Sequence, residues 1–416
     1  MKICLISTFP PSRQGLSEYG YHIARELRQN PLTSITILAD ELTTPEPELE
    51  DFSVIRCWSF NSLRNPARLL RYIHTLKPDV VWFNLGFATF GDKPLQTFAG
   101  ICIPLLTRLN GFYTHVTLHQ VVDYVDLKAA GIRYPRLYRA AGYIATRLLL
   151  MSNSISVLLP AYRRTLRDRY RGKNIHVRPH GIFSNCPEHP DLSLRGNPVQ
   201  RILAFGKWGT YKRLEQILDA FPAIAAAVPN AQLVIAGGDH PKTIGYVNSV
   251  AEKYKNDPRI VFTGYVAEDE LPELFKTASV AVMPYSSAAG SSGVAHLACT
   301  YGLPIVCADI PDFREMADDE NLAIDFYRTG DTRSMAEVLT NLLLSTERQH
   351  EMAEQNFSAA MRMTMPQVVR QYLRAFDVHQ RTRALDPLRR FRRIPSWIPS
   401  RSALARAVGS RTAPWS

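Results

Sequence analysis

Short apolar runs rich in β-branched residues alternate with longer segments of helical spacing along the first half of the chain. In one such segment Tyr19, Ile23 and Leu27 fall on a single helix face. The apolar runs predict strands at 2–7, 34–39, 54–58, 79–84, 116–119, 155–159 and 175–178. Strands that alternate with helices form a parallel sheet covered on both faces, so this half is predicted to be a doubly wound domain.

The alternation stops between residues 183 and 199, where Pro, Ser, Asn and Asp are typical of a linker. It then resumes, with strands predicted at 201–205, 232–236, 260–263, 280–283, 305–308 and 323–326. The predicted fold class is α/β, with two Rossmann-like parallel-sheet domains facing across a cleft that would hold the ligand. The predicted bounds are 1–185 for the N-terminal domain, 186–200 for the linker and 201–365 for the C-terminal domain.

The end of the chain departs from this pattern. Residues 366–384 are predicted to form a helix that packs back on the N-terminal domain, and residues 385–416 a basic, flexible tail. Prolines forbid one long helix in that tail, which contains Pro387, Pro395, Pro399 and Pro414.

Composition limits the class of protein. A chain of 416 residues exceeds the size at which one core keeps growing, and shares of 46% hydrophobic and 21% charged residues are those of a globular protein. The six cysteines form no CxxC pair, so neither a zinc site nor a disulfide framework is indicated. The amino terminus lacks the apolar core of a signal peptide, and charges interrupt the long apolar stretches. We therefore expect a cytoplasmic protein without a spanning helix.

The formal net charge of +11 is concentrated in two zones. Residues 128–173, the first basic zone, hold eleven Lys and Arg against one acid, and residues 381–416 hold nine Arg against one acid. The remainder of the chain is net acidic. The zones indicate contact with an anionic partner, such as a lipid surface, a phosphorylated acceptor or nucleic acid, or else a solvated basic face.

A first candidate site lies at 205–214, after the first strand of the second domain. Gly206 permits a sharp exit from the strand, and Lys207 and Lys212 can then converge on the cleft. A nucleotide-sugar diphosphate would need such cations, because negative charge develops on it as the glycosidic bond breaks. The alternative is that both lysines are only solvated.

A second candidate site is the Ser- and Gly-rich loop at 284–293, which leads into a helical run at 294–300. Small residues at a helix N-terminus bind phosphate, since free N–H groups and the helix dipole point at the anion. The candidate residues are Ser291, Ser292 and Gly293. A flexible loop without a ligand would have the same composition.

The first domain has a matching loop, with Gly15 after the first strand and Ser17 as the predicted N-cap of the next helix. The loop lacks the GxGxxG pattern of dinucleotide folds. His119 ends a predicted strand, so its side chain is expected to point into the cleft, with Asp123 nearby. A lone histidine can equally be structural.

Taken in order, these segments resemble the family-4 retaining glycosyltransferases of GT-B fold, over residues 1–380. Matching segments are VTLHQ (116–120), VRPHGIF (177–183), VIAGG (234–238), FTGYV (262–266) and GLP (302–304). The resemblance implies catalytic roles for His119, Lys207 and Lys212. It implies donor contacts at Gly15, Gly206, Gly237, Gly264, Tyr265, Ser291, Ser292 and Gly293.

One departure from the family concerns a pair of glutamates that precedes its GxP motif. The corresponding positions are Ala289 and Leu297, and neither is acidic. The serine–glycine loop occupies this segment, with His296 beside the second position. Because the second glutamate binds the nucleotide ribose in the family, the departure puts the donor contacts in doubt. Leu297 is expected to be buried.

The resemblance implies hexosyl transfer from a nucleotide-diphosphate sugar with retention of configuration, without a metal or a cofactor. We expect a lipid-linked acceptor in polysaccharide or glycolipid biosynthesis, with the basic zones at the inner face of the membrane. Two alternatives share the fold, namely a sugar-nucleotide epimerase and a non-catalytic nucleotide-sugar-binding protein. No motif indicates nucleic-acid binding.

Overall fold

The computed structural model describes residues 1–12, 15–42, 47, 49, 51–124, 134–184, 186–191, 199–240, 242–287 and 291–391, with the backbone alone for 384–391. The first part of the chain forms a seven-stranded parallel sheet in the order β3-β2-β1-β4-β5-β6-β7. Its strands are β1 Lys2–Ile6, β2 Ser34–Asp40, β3 Val54–Trp58, β4 Val80–Leu85, β5 Thr114–Leu118, β6 Ser154–Val157 and β7 Ile175–Val177. Its helices are α1 Ser17–Gln29, α2 Asn65–Leu76, α3 Pro94–Ile101, α4 Ile103–Leu109, α5 Pro135–Leu149 and α6 Pro160–Asp168.

The second part forms a six-stranded parallel sheet in the order β10-β9-β8-β11-β12-β13. Its strands are β8 Gln200–Phe205, β9 Ala231–Ala236, β10 Ile260–Gly264, β11 Val280–Met283, β12 Ile305–Ala308 and β13 Ile324–Tyr327. The helices from here on are α7 Glu215–Ala227, α8 Tyr246–Tyr254, α9 Leu271–Lys276, α10 Gly293–Thr300, α11 Pro311–Glu320, α12 Thr332–Leu344, α13 Thr346–Arg362 and α14 Met365–Phe391.

All thirteen strands predicted from the sequence are present, with ends displaced by two residues at most. Their apolar character explains this agreement. Every residue of β4 is buried, as expected for a parallel strand covered by helices on both faces. The predicted α/β class with two Rossmann-like sheets is confirmed.

The strand order reverses at the same place in both sheets, between β1 and β4 and between β8 and β11. Ligands of such sheets bind outside the carboxyl ends of the strands at this reversal. The loops that follow β1 and β8 are therefore the ones placed to contact a ligand.

Two backbone hydrogen bonds join the loop after β7 to the junction between α13 and α14. The Ile182 amide donates to Met363 O at 2.9 Å, and the Met365 amide donates to Ile182 O at 3.1 Å. Both sheets belong to one compact unit, Met1–Val369, and a second unit begins at Arg370. The predicted domain bounds and the packing of the C-terminal helix remain predictions, and the tail beyond residue 391 lies outside the described residues.

The N-cap prediction for α1 was wrong. Leu16 is the N-cap residue, and Ser17 is the first residue of the helix. The Ser17 hydroxyl is buried without a hydrogen-bond partner, because the backbone turn is completed one residue earlier. Among the described helices, none has the length and hydropathy needed to cross a membrane.

Candidate active site

Three glycines predicted to contact the donor meet side by side at the carboxyl edge of the second sheet. The Gly206 amide donates to Ala236 O at 3.1 Å, and the Gly237 amide donates to Gly264 O at 2.7 Å. A side chain at Gly237, where φ is +100°, would place Cβ only 1.9 Å from Gly206 O. The two backbones therefore interlock in a way that requires glycine at this position.

The loop after β8 is held by Trp208. Its buried indole Nε1 donates to Ala236 O at 3.0 Å, and its amide donates to Gly238 O at 2.9 Å. The Gly209 amide then donates to Lys212 O at 2.9 Å, which turns the chain back toward Gly206. The loop is thereby fixed before any ligand binds.

The two predicted lysines have different surroundings. Lys207 is exposed, whereas Lys212 is half-buried, with its Nζ 4.6 Å from the ring centroid of Tyr285. Burial lowers the pKa of Lys212, and the nearby Tyr211 partly offsets this. Among the residues that the structure describes, no acidic group pairs with the Lys212 ammonium. Lys212 is thus a fixed cation without a counter-ion.

The serine–glycine loop follows Tyr285 along the chain. The segment of Lys212 pairs with Tyr285 as an antiparallel bridge. Helix α10 begins at Gly293, and Ser292 caps it, its Oγ accepting from the Ala295 amide at 3.4 Å. The Ser291 hydroxyl is buried and has no hydrogen-bond partner among the residues that the structure describes. A capped helix N-terminus and an unsatisfied hydroxyl together form a place for ligand oxygens.

His119 follows β5 and is buried, 8% exposed. Its Nε2 lies 2.6 Å from Asn84 Oδ1, and Asn84 Nδ2 donates to Ser7 Oγ at 3.0 Å. The Asn84 oxygen can only accept, so Nε2 carries the proton and Nδ1 is left as an acceptor. Burial lowers the pKa of His119 to about 3, which keeps the ring neutral. The predicted neighbour Asp123 turns away and accepts from Tyr170 Oη at 2.6 Å.

Four residues that the sequence did not place at the site connect its two halves. Tyr19 lies between His119 and His180, with ring centroids 4.6 Å and 4.7 Å away. His180 stacks on His296 at 5.2 Å, and His296 contacts Glu320 at 2.7 Å. The signals in the sequence were weak. His180 stands in VRPHGIF and His296 stands beside Leu297, but nothing marked Tyr19 or Glu320.

The remaining predicted residues lie at the rim. Gly15 and Tyr265 are exposed, Tyr265 by 79%, and a side chain at Gly15 would meet no atom within 4 Å. Leu297 is half-buried against the core, less covered than expected. Ala289 lies outside the described residues.

A cation could be held where α1 faces the 3-10 turn before α9. Ligand atoms of Glu18, His22 and Glu268 lie within 4.8 Å of one another. Within the described part of the chain, neither ring nitrogen of the buried His22 has a hydrogen-bond partner. Burial, with help from Arg25, lowers the pKa of His22 to about 3, so the ring is in the neutral form that binds metals. Burial and the charge of Glu268 raise the pKa of Glu18, while Lys207 opposes the rise.

A comparison with protein families finds a match in the same part of the chain. Residues 199–345, which contain the interlocked glycines, Lys212 and the serine–glycine loop, match a family model. That family is Glycosyl transferases group 1. The match covers less than half of the chain, and the predicted donor residues from Gly206 to Gly293 lie inside the matched segment.

A curated relative is the mannosylfructose-phosphate synthase of Agrobacterium fabrum, 30% identical over 125 residues. The alignment covers 27% of this chain and 27% of that protein. The chain thus spans about a quarter of the length of the relative it matches.

Solved structures establish the fold over nearly the whole chain. Sucrose-phosphate synthase from Thermosynechococcus elongatus has a TM-score of 0.71 at 14% identity, covering 92% of this chain and 100% of that one. The Anabaena protein HepE, in complex with UDP and glucose, has a TM-score of 0.66 at 14% identity, covering 91% and 99%. At this level of identity the likeness shows the fold, which is GT-B.

Proposed function

We propose that the protein transfers a sugar from a nucleoside diphosphate sugar to an acceptor, with retention of configuration. The observation that carries the proposal is the Lys212 ammonium, which is half-buried over Tyr285 and has no anionic partner among the described residues. Withdrawing a charge from water without a counter-ion is costly. A diphosphate bound between Lys212 and the N-terminus of α10 would supply the missing anion.

In this mechanism the protein acts mainly through fixed charges and dipoles. Negative charge grows on the leaving diphosphate as its bond to the sugar breaks, and Lys212 together with the α10 amides stabilises that charge. The acceptor hydroxyl attacks from the face that the diphosphate leaves, and a leaving-group oxygen takes its proton. His119 orients the sugar through Nδ1, because Asn84 already occupies Nε2.

A thermal-shift series with UDP, GDP and ADP and their glucose conjugates tests the donor class. We expect UDP and UDP-glucose to stabilise the protein, since the structurally similar HepE binds UDP. Slow hydrolysis of the sugar nucleotide would support transfer chemistry. Epimerised product without an acceptor would indicate an epimerase, and binding without turnover a non-catalytic protein. Silence toward all six compounds would overturn the proposal.

The acceptor side of the proposal rests on α5. This helix presents an apolar stripe to solvent, with Leu137 68% and Ile144 53% exposed. Arg136 and Arg139 flank the stripe and have no ion-pair partner in the described part of the chain. An amphipathic helix with free arginines fits the interface of an anionic membrane. We therefore propose peripheral membrane binding through α5, with a lipid-linked acceptor.

The rest of the first basic zone behaves differently. Arg164 pairs with Glu315, and Arg169 pairs with Asp123. Their charges are balanced by acidic partners, so we assign the membrane contact to α5 instead. Lys128 and Arg133 lie outside the described residues.

Co-sedimentation with vesicles of phosphatidylglycerol and phosphatidylcholine tests the surface. We expect binding at low salt, release at high salt and loss of binding in Ile144→Glu. Leu344→Glu is the matched control, because Leu344 is 64% exposed on α12, away from the basic zone. Equal binding by wild type and Ile144→Glu would contradict the assignment.

A further inference from the structure

The most unusual buried contact in the glycosyltransferase domain is an ion pair below the serine–glycine loop. His296 and Glu320 side chains are only 2% and 4% exposed, and His296 Nε2 lies 2.7 Å from Glu320 Oε2. The other ring nitrogen, Nδ1, lies 2.7 Å from Ser292 O. The Ser292 carbonyl can only accept, so Nδ1 carries a proton, and a second proton lies between Nε2 and the Glu320 carboxyl group, where it makes an imidazolium–carboxylate pair when it stays on the ring.

This pair lies where the donor loop is built. Ser292 caps α10, and the His296 ring holds the Ser292 carbonyl from below. Glu320 is the last residue of a different helix, α11. On the cleft side His180 stacks on His296 with planes inclined by 20°, and a side chain at Gly293 would lie 3.7 Å from the His180 ring. Glu320 thus places a buried carboxylate behind the loop whose own glutamates are missing.

We propose that His296 and Glu320 are positioning residues that fix the Ser291–Gly293 loop for the donor diphosphate, and that loss of the shared proton releases the loop. The proposal rests on the proposed function for its ligand. It assigns to a buried ion pair, brought from α11, the ordering of a loop that lacks the paired carboxylates.

The direction of the pH dependence follows from the number of protons that the His296 ring carries. Burial opposes the charge on His296, but the charge and hydrogen bond of Glu320 outweigh it and raise the pKa of His296 above its ordinary value. Below that pKa both contacts of the ring are satisfied. Above that pKa the His296 ring carries one proton for two acceptors. Either the Ser292 carbonyl or the Glu320 carboxylate then faces a nitrogen lone pair. The loop is therefore fixed at lower pH and released as the pH rises.

The other titratable groups that face His296 do not supply this transition. On α10 itself, burial raises the pKa of the Cys299 thiol well above its ordinary value. From the loop after β7, burial and the neighbouring His296 and His119 lower the pKa of His180. Both groups are neutral around pH 7, and Glu320 is the acidic group in contact with the ring.

The test is a comparison of wild type with Glu320→Gln. The glutamine amide can donate to His296 Nε2 while Nδ1 still donates to Ser292, so the variant keeps the shape and both contacts but needs only one ring proton. We expect wild type to bind UDP about tenfold more weakly at pH 8.5 than at pH 6.5. Glu320→Gln should bind UDP equally at both values, apart from the titration of UDP itself. Asp318→Asn, exposed on the same helix, is the control and should behave as wild type.

A ligand-free readout separates this inference from the proposed function. Imidazole NMR shifts should show a doubly protonated His296 at pH 7 in wild type and a singly protonated one in Glu320→Gln. The amide signals of Ser291 and Gly293 should follow the His296 titration in wild type alone. A neutral His296 at pH 6.5 in wild type, or an unchanged titration in Glu320→Gln, would overturn the inference. Absence of UDP binding with the NMR behaviour intact would instead count against the proposed function.

Discussion

The two sheets share one strand order, yet their carboxyl edges present opposite chemistry. At the edge of the first sheet stands His119, buried, neutral and fixed by Asn84. At the edge of the second stand the Lys212 cation and the N-terminus of α10. The cation and the helix N-terminus that can meet a diphosphate therefore lie at the edge of the second sheet, although both sheets have the same architecture.

This difference matches what each side would contact in glycosyl transfer. A sugar hydroxyl can be recognised by a neutral group that accepts in a fixed direction, as His119 Nδ1 can. A departing diphosphate needs charge and dipoles that are already in place. The predictions below test whether the two edges are separable in this way, starting from the largest expected effect.

The carboxyl edge of the second sheet, where Lys212 lies, depends on the interlocked backbones of Gly206 and Gly237. In Gly237→Ala the new Cβ would lie 1.9 Å from Gly206 O at a φ of +100°. We expect the unfolding free energy to fall by about 3 kcal/mol, with loss of UDP binding. Gly238→Ala is the matched control, since a Cβ there meets nothing within 4 Å. Denaturant unfolding measures both, and equal stability of the two variants would contradict the interlock.

Removal of the partnerless cation should reduce the rate. Lys212→Ala is expected to lower turnover of the sugar nucleotide about a hundredfold, because it deletes a fixed charge from the leaving-group site. Lys207→Ala should cost less, since Lys207 is exposed and solvent screens its charge. Lys242→Ala, exposed beyond β9, is the control. Near-normal turnover in Lys212→Ala would remove the residue from the mechanism.

The buried, neutral His119 at the edge of the first sheet should make the protein sensitive to acid. The pKa of His119 is about 3 in the folded protein. As the pH falls below 6.5, this residue is therefore protonated in the unfolded chain before it is protonated in the folded one. Stability is then lost between pH 6.5 and 3, at up to about 1.4 kcal/mol per pH unit for this group. His119→Gln should lessen the loss, measured as unfolding free energy at pH 7 and pH 4.5. The exposed His74→Gln should leave it unchanged.

The smallest expected effect is that of metal removal. We expect EDTA to leave turnover unchanged, because Lys212 and α10 supply the positive charge in the proposed mechanism. If EDTA lowers turnover and added Mg²⁺ restores it, the reaction depends on a metal. Glu18→Gln would then distinguish the cluster of Glu18, His22 and Glu268 from a metal carried by the nucleotide alone.

The sequence predicted the strands well because they are continuous apolar runs, and the residues of the second edge because Gly206, Lys207 and Lys212 follow one strand in a short segment. The sequence did not predict the N-cap of α1, because the position of a cap depends on the exact backbone turn before the helix. Contacts between distant segments were also invisible. His180 meets His296, and Glu320 reaches across from another helix. No local pattern encodes that meeting, because it depends on how the two sheets pack.

The paired backbone contacts at Ile182 have a mechanical consequence. The chain leaves the first sheet and returns to it at neighbouring points, with Ile182 bonded to both Met363 and Met365. The two sheets also meet at α6 and α11, where Tyr162 Oη donates to Asp312 at 3.2 Å and the Ala161 amide donates to Glu315 at 2.7 Å. A rotation of one sheet against the other about Ile182 would therefore have to break the contacts between α6 and α11, and a translation would have to break the Ile182 hydrogen bonds as well.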